Sequence, residues 1–215
     1  MEIKKLTILG KSDATITMIL DNLESRNDFP LIEIINNLNQ DVIHPISNPN
    51  FLIDIKNEID EFEHCFLGVN KNINKFLVFN NFNIPLEKFI NIIHHSSTIS
   101  STTKIGKGCL INSLVSIAAH SKLGNFVSVN RNSSIGHHTL INDFVTINPG
   151  VNIAGFVTIG QKSLIGMGVN IIDGIKIGSN SIIGAGSVVT KDIPDNVVAY
   201  GSPCKIIRIN ETQSI

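Results

Sequence analysis

The chain has 215 residues, 42% of them hydrophobic, and its 17 basic and 18 acidic side chains give a formal net charge of −1. This composition fits one large folded domain or a domain with a smaller one beside it, and it excludes a strong attraction to nucleic acid or anionic membranes. The apolar stretches are far shorter than the roughly 18 residues that a membrane span requires. No signal-peptide core precedes Lys11, so we expect a cytoplasmic protein. Three cysteines without a CxxC pair support neither a disulfide framework nor a thiolate metal site.

The N-terminal part of the sequence predicts a small βαβ-type domain. Residues 5–9 fit a buried strand, Ser12 or Asp13 can cap the helix that follows, and residues 31–35 and 63–69 fit two more strands. Strands joined in this way predict a parallel sheet covered by helices. Such a sheet binds ligands at the carboxyl ends of its strands.

The boundary of this domain is expected near residues 94–97, where no flexible linker is visible. A Pro- and Asn-rich stretch covers 41–50, and residues 85–93 fit one more short helix or strand that leads into the next region. We therefore divide the chain into a βαβ domain, 1–95, and a second domain, 96–215.

From Ile105 to Val189 an aliphatic residue occupies every sixth position without a break. A period of six fits neither an α-helix nor an alternating strand, and it predicts a hexapeptide β-helix in which each repeat forms one short side of a coil. Three repeats make one coil, so residues 105–194 accommodate five coils stacked at roughly 4.8 Å. The first and fifth residues of each repeat should point inward, which makes Cys109 a small apolar filler.

The second position of the repeat is dominated by glycine and asparagine. Both residues tolerate a positive φ better than the others, so we expect the chain to turn its corners at this position. The glycines are Gly106, Gly124, Gly136, Gly160, Gly166, Gly178 and Gly184, and the asparagines are Asn112, Asn130, Asn142 and Asn148.

Four segments of the sequence, 136–145, 153–160, 183–194 and 201–205, resemble a known family. They are similar to the left-handed β-helix sugar acyltransferases, the group with sialic-acid O-acetyltransferases, the bacillosamine-pathway N-acetyltransferase and perosamine N-acetyltransferase. That family also carries a small N-terminal βαβ domain, so the resemblance covers nearly the whole chain. It implies an α/β N-terminal domain followed by an all-β, left-handed parallel β-helix. It also implies acetyl-CoA as co-substrate, no metal, and a homotrimer that binds the cofactor in a groove between two prisms.

His137 is the candidate general base. It occupies the third, outward position of its repeat, and the eighteen-residue coil places Ala119 and Gly155 below and above it, which leaves an open slot. The resemblance implies that His137 removes a proton from the sugar amine or hydroxyl, a task that suits an imidazole because it is mostly neutral near pH 7. His138 stands where the family usually has Asp or Glu, and a neutral histidine can orient its neighbour without supplying negative charge. Asn130 matches a family asparagine near the reacting groups, although it also fits a ladder of corner asparagines.

The remaining expected contacts come from matching this sequence to the family. Cofactor contacts are implied at Thr146, Gly155, Met167, Ala185, Lys191 and Lys205. Nucleotide-sugar contacts are implied at Gly10, Ser12, Asp13, Asn36, Asn37 and Asn70. Thr146 replaces a histidine often found there, Lys205 also fits a solvated tail, and each asparagine also fits an ordinary loop.

The favoured function is acetyl-CoA-dependent N-acetylation of a nucleotide-linked 4-amino sugar for polysaccharide or glycan synthesis. An amine is favoured because it is a stronger nucleophile than a hydroxyl once deprotonated and therefore requires a less basic histidine. O-acetylation of the sialic-acid type is the alternative. A zinc hydratase of the γ-carbonic anhydrase type would need His120, His137 and His138 as ligands, although adjacent residues diverge in direction. A scaffold or ice-binding prism is disfavoured because the outward positions carry no regular threonine array.

Overall fold

The computed structural model describes residues 3–35, 48–56 and 62–211. Asn36, Asn37 and most of the Pro- and Asn-rich stretch lie outside the described residues. Within the described ranges, no helix has the length and apolar character needed to cross a membrane.

The N-terminal region is a four-stranded parallel sheet with two helices. Its elements are β1 (Lys5–Leu9), α1 (Asp13–Glu24), β2 (Leu31–Ile35), β3 (Ile53–Lys56), β4 (Cys65–Leu67) and α2 (Asn72–Phe82). The strand order is β3-β2-β1-β4, and every pairing is parallel. This confirms the predicted sheet, the three predicted strands and the helix that begins after Ser12.

The sequence did not reveal β3 or α2. β3 is a short edge strand whose four side chains are all at least partly exposed, so no apolar run marks it. α2 carries four asparagines among its eleven residues and has only a weak apolar stripe. Its burial comes from the surfaces that it contacts.

A parallel β-solenoid follows a 3₁₀ turn at Leu86–Lys88 and begins at Ile92–Ile93, inside the segment expected to lead into the repeats. Its two-residue strands are β5 (Ile92–Ile93), β6 (Thr98–Ile99), β7 (Lys104–Ile105), β8 (Leu110–Ile111), β9 (Ser116–Ile117), β10 (Lys122–Leu123), β11 (Ser128–Val129), β12 (Ser134–Ile135), β13 (Leu140–Ile141), β14 (Thr146–Ile147), β15 (Asn152–Ile153), β16 (Thr158–Ile159), β17 (Leu164–Ile165), β18 (Asn170–Ile171), β19 (Lys176–Ile177), β20 (Ile182–Ile183) and β21 (Val188–Val189). β22 (Val197–Tyr200) continues this ladder, and β23 (Lys205–Ile209) pairs antiparallel with β22.

The solenoid is a prism with three faces, because each short strand pairs with the strand eighteen residues along the chain. The first face has the order β23-β22-β20-β17-β14-β11-β8-β5, the second β21-β18-β15-β12-β9-β6, and the third β19-β16-β13-β10-β7. We call the turns from the first to the second face the first corner, and those from the second to the third face the second corner. The apolar residues predicted to point inward form one cluster along the prism, with Ile105 partly buried at its edge, and the inward serines and Thr139 are buried as well. Burial raises the pKa of the Cys109 thiol to about 12, so this side chain acts as an apolar filler.

The expectation that the second position turns the corners is wrong. Positive φ occurs instead at the fourth position of every repeat from Gly108 to Gly186, whether the residue is Gly, His, Phe, Leu, Asn or Lys. The second-position glycines are required by close approach of the next coil. A Cβ added at Gly136 would lie 2.4 Å from the carbonyl carbon of Ala154, and one at Gly160 would lie 2.3 Å from the backbone nitrogen of Ser179.

The N-terminal sheet packs directly on the first face of the prism. One apolar cluster joins β1, α1 and β2 to Ile92 and Leu110. A second cluster contains Phe89, Phe126 and Phe144, with the Phe89 and Phe126 ring centroids 5.0 Å apart. Because apolar side chains from both regions interleave, the carboxyl edge of the sheet has a fixed position beside the coils.

Candidate active site

The second corner carries an exposed imidazole in a notch. His137 lies between β12 and β13, and its ring lies against the backbone of Gly155 one coil above. A Cβ added at Gly155 would lie 2.6 Å from Cε1 and 2.9 Å from Nε2 of His137. Only glycine at position 155 therefore leaves the ring where it is.

His138 lies within hydrogen-bond distance of His137 and limits the tautomers that His137 can adopt. Nδ1 of His137 lies 3.1 Å from Nδ1 of His138. One nitrogen of such a pair must carry a proton and the other a lone pair. When His137 donates from Nδ1 to His138, the lone pair of His137 is on Nε2 and is available to take a proton from a substrate. Among the described residues, no carboxylate has a hydrogen bond or ion pair with His137.

The ring of His138 is held between two other rings. It lies 4.9 Å from the ring of His120 and 5.0 Å from the ring of Phe156, nearly parallel to Phe156 at 19°. Phe156 also meets His137 edge-on, with centroids 5.0 Å apart. Sequence reasoning gave Phe156 no role in the site, although the eighteen-residue spacing from 120 to 138 to 156 predicts this stack.

A cleft of about 450 Å³ lies beside these rings, lined by His120, Lys122, His138, Thr139 and Leu140. Lys122 projects from the third face and is exposed. The cleft gives a substrate an approach to the histidine pair from the third face.

The expected cofactor residues fall into three groups. Gly155 and Lys191 share the second corner with His137, and Lys191 is exposed on the last full coil. Met167 and Ala185 stack on the first corner, where both are exposed. Cβ atoms added at Gly168 or Gly186, beside them, would meet nothing within 4 Å. These two corners border the second face, and Gly168, Ala185 and Gly186 leave the first corner open at its upper coils.

Lys205 and Thr146 lie elsewhere. Lys205 begins the exposed strand β23 at the edge of the first face. Thr146 is 5% exposed because α2 covers it. Its hydroxyl donates to Oδ1 of Asn72 and accepts from Nζ of Lys75 at 3.4 Å.

Asn130 lies on the first corner, not with His137 on the second. Its Nδ2 donates to the carbonyl of Ile147 at 3.0 Å, and its Oδ1 accepts from Nδ2 of Asn112 at 3.1 Å. Asn112 in turn accepts from Asn22 of α1 at 2.7 Å. The asparagine ladder thus ties α1 to the coils.

Four of the expected nucleotide-sugar residues lie at or beside the carboxyl edge of the N-terminal sheet. Gly10 has a φ of +88° and donates its N–H to the carbonyl of Ile35. Ser12 is the N-cap of α1, and its N–H donates to the carbonyl of Gly68 at 2.8 Å. Asp13 begins α1 and lies 3.7 Å from Nζ of Lys11, while the exposed Asn70 follows β4.

A small cleft brings Asn70 together with Asn130 and Thr146, at the junction of the sheet and the first face. It also holds Lys75, which sequence reasoning missed. This side chain is 5% exposed, and burial lowers its pKa to about 8. No sequence signal marks Lys75, because its burial depends on how α2 packs against the coils.

Within the described ranges, no group of three or more His, Cys, Asp or Glu side chains is arranged to hold a metal ion. His120, His137 and His138 are the ligands that a zinc hydratase would need. The His138 ring contacts the His120 ring at a tilt and the His137 ring edge-on. The direct bond between two Nδ1 atoms also engages both of those nitrogens.

Comparison with known proteins agrees with the repeat. The family model for the bacterial transferase hexapeptide (six repeats) matches residues 156–191. A search of curated protein sequences gives no match.

Solved structures give a likeness over nearly the full length. The chain is similar to perosamine N-acetyltransferase from Caulobacter crescentus, solved as a histidine-to-asparagine mutant with CoA and GDP-perosamine, at 21% identity and a TM-score of 0.80, covering 94% of this chain and 96% of that one. It is similar to the acetyltransferase domain of PglB from Neisseria gonorrhoeae with acetyl coenzyme A (24% identity, TM-score 0.82, 95% and 100% covered) and to WeeI from Acinetobacter baumannii (18%, 0.76, 94% and 100%). The predicted fold is therefore confirmed: a left-handed parallel β-helix preceded by a small sheet.

Proposed function

We propose that this protein is an acetyl-CoA-dependent N-acetyltransferase that acts on a nucleotide-linked amino sugar. One observation carries the proposal: an exposed imidazole, with its Nδ1 within hydrogen-bond distance of His138, lies in a glycine notch of a hexapeptide β-helix. Supporting it, similar structures have been solved with acetyl coenzyme A, or with CoA and GDP-perosamine. In this proposal residues 1–95 bind the nucleotide sugar and 96–215 carry out the transfer.

His137 acts as the general base in the proposed reaction. Its Nε2 removes a proton from the sugar amine as the amine nitrogen forms a bond to the thioester carbonyl carbon. The carbon–sulfur bond then breaks, and His137 returns the proton to the leaving thiolate. Transfer is direct, so no acyl-enzyme forms.

His138 is proposed as the residue that orients the base. The pair of Nδ1 atoms at 3.1 Å supports a role in orienting His137 and selecting its tautomer. A neutral partner adds no negative charge, which favours an amine acceptor because a deprotonated amine is a stronger nucleophile than an alcohol.

Acetyl-CoA is proposed to lie along a groove between two prisms of a homotrimer. The positions of Gly155 and of Met167 and Ala185 support this because they lie on the two corners that border the second face, and because Met167 and Ala185 are exposed. Lys191 and Lys205 are placed near the cofactor phosphates, and both are exposed. Thr146 and Asn130 would need to contact ligand from buried positions. We propose a cytoplasmic location.

The test is to incubate the full chain with acetyl-CoA and a panel of UDP-, dTDP- and GDP-linked 4-amino sugars, with product detection by mass. His137→Ala should lower kcat by about 10²- to 10⁴-fold, the usual contribution of a positioned base. His95→Ala is the matched control, because His95 is an exposed histidine in a different ring pair, with the His94 centroid at 4.6 Å. Transfer to a hydroxyl alone would support the O-acetyl alternative, and undiminished turnover by His137→Ala would remove the assigned base.

A further inference from the structure

Lys75 is a buried ammonium that the proposed transfer reaction does not use. It lies at the end of the first turn of α2 and is 5% exposed. Its Nζ donates to Oγ of Ser128 at 2.6 Å and to Oγ1 of Thr146 at 3.4 Å. An ammonium has three N–H donors, so one hydrogen is left after these two hydroxyl groups.

Among the residues that the structure describes, none that lines the cleft around Lys75 carries a negative charge. The cleft that it shares is lined by Thr15, Met18, Val69, Asn70, Leu110, Ser128, Asn130 and Thr146, none of which titrates. The Cys109 thiol below them has its pKa raised to about 12, so it is neutral at pH 7. At the start of α1, Lys11 and Asp13 lie 3.7 Å from each other, and Lys71 at the start of α2 is exposed.

Burying a cation without a counter-ion is unfavourable, because the ion loses its hydration and gains no opposite charge in return. The pKa of Lys75 is lowered to about 8 for this reason, yet the group remains mostly protonated at pH 7. An anion in the cleft would remove the imbalance.

The shape of the cleft indicates how much of an anion can enter. Its internal space is about 10 Å³, close to the volume that one water molecule needs. A single anionic oxygen therefore fits beside the ammonium, while the rest of the ligand stays outside. The side-chain amide of Asn70 lines the same cleft as a further donor, and Thr15 in the first turn of α1 lies beside it.

We propose that Lys75 is the anchor of an anion site at the junction of the N-terminal sheet and the first face, and that it takes one oxygen of a phosphate or carboxylate group. The proposal depends on the proposed function for its natural ligand, the diphosphate of a nucleotide-linked sugar. A free inorganic anion is the other source of the same chemistry.

Calorimetric titration of the full chain distinguishes these sources. The probes are inorganic phosphate, UDP, dTDP and GDP, with uridine, thymidine and guanosine as neutral counterparts. We expect at least one diphosphate to bind more tightly than its nucleoside. Binding of inorganic phosphate with similar affinity would assign the site to a free anion, and failure of every anion to bind the wild-type chain would overturn the proposal.

Lys75→Met tests the residue, because methionine keeps an aliphatic stem and removes the charge. We expect affinity for the bound anion to fall by about tenfold or more, while the thermal midpoint of the anion-free protein stays or rises. Lys71→Met is the matched control on the same helix and should leave affinity unchanged. Unchanged anion binding by Lys75→Met would overturn the proposal, as would a lowered midpoint with equal loss of nucleoside and diphosphate binding.

A measurement on the wild-type chain remains decisive if Lys75→Met fails to fold. Because a bound anion favours the charged ammonium, binding at pH 8.5 should take up protons, which titrations in buffers of different ionisation enthalpy detect. Anion binding without proton uptake at this pH would contradict the proposal. The acetyl-transfer assay is independent: absence of transfer with any sugar would remove the proposed function and leave the anion site standing.

Discussion

The β-helix and the N-terminal region differ in what brings their polar side chains together. In the β-helix, a residue and its neighbours above and below are eighteen positions apart, so His120, His138 and Phe156 stack by counting alone. In the N-terminal region, Lys75 reaches Ser128 and Thr146 across 53 and 71 positions of sequence. In the periodic region, residues at a fixed sequence spacing come together in a site. In the non-periodic region, residues come together only when one surface packs on another. The four predictions below test this contrast.

The largest expected effect is a polar substitution inside the prism. Ile153 is 3% exposed and belongs to the continuous core of the coils. Ile153→Asn should lower the free energy of unfolding by about 3–5 kcal/mol, because it removes apolar contacts and buries an unpaired amide. Denaturant titration measures it. The adjacent exposed position provides the control: Asn152→Ser should stay within about 0.5 kcal/mol of wild type, and equal losses at both positions would contradict the inward assignment.

Next is the pH dependence of stability that Lys75 produces. Its pKa is about 8 in the folded protein, below the ordinary value of 10.5. Between these values the unfolded chain binds more protons, so this group makes stability rise with pH from about 8 to 10.5, by a total on the order of 3 kcal/mol. Below pH 8 the ammonium is protonated in both the folded and the unfolded chain, so this gain in the free energy of unfolding is lost.

The measurement is the difference in unfolding free energy between wild type and Lys75→Met across this window, in anion-free buffer. The difference is needed because the raised pKa values of Cys65 and Cys109, both about 12, act in the opposite direction. Parallel pH curves for the two proteins would show that the buried ammonium is not linked to folding.

A smaller effect is expected at the notch. Gly155→Ala adds a methyl group that would lie 2.6 Å from the His137 ring, so the imidazole must move. Displacement of about 1 Å costs on the order of 10²-fold in rate, with stability nearly unchanged on this surface. Steady-state kinetics measures the rate, and thermal unfolding measures the stability. Gly168→Ala is the comparison for backbone strain without a clash, since its φ is +65° and its Cβ would meet nothing within 4 Å, so it should lower stability and leave the rate unchanged.

The smallest expected effect is at His138. A carboxylate at this position restores negative charge beside the base, so His138→Glu should move the acidic limb of the kcat/KM profile to higher pH by up to about one unit. His138→Gln keeps a neutral partner and should leave that limb in place. A shift of the same size in both variants would indicate only a packing role between His120 and Phe156.

Much of the fold follows from local pattern. The six-residue period predicts the coils and their inward residues, and apolar runs predict β1, β2 and β4. The same period places His137 between Ala119 and Gly155. The backbone hydrogen bonds between coils agree, because His138 N–H donates to the Ala119 carbonyl and Phe156 N–H donates to the His137 carbonyl. The corner position could not be read in this way, because glycine at the second position serves close approach of coils and the fourth position accepts a positive φ with many side chains.

The sequence by itself determined the repeating coil and the vertical neighbours of each outward side chain, since both depend on residue spacing. Only the tertiary structure decided which outward residues stay accessible. α2 covers Thr146 and carries Lys75 into the junction, while Met167 and Ala185 stay exposed at the upper coils of the first corner, beyond the asparagine ladder that α1 contacts. The reason is physical: stacking in a solenoid involves residues at a fixed separation, whereas packing of a helix on a sheet depends on long-range contacts between two surfaces that no local pattern specifies.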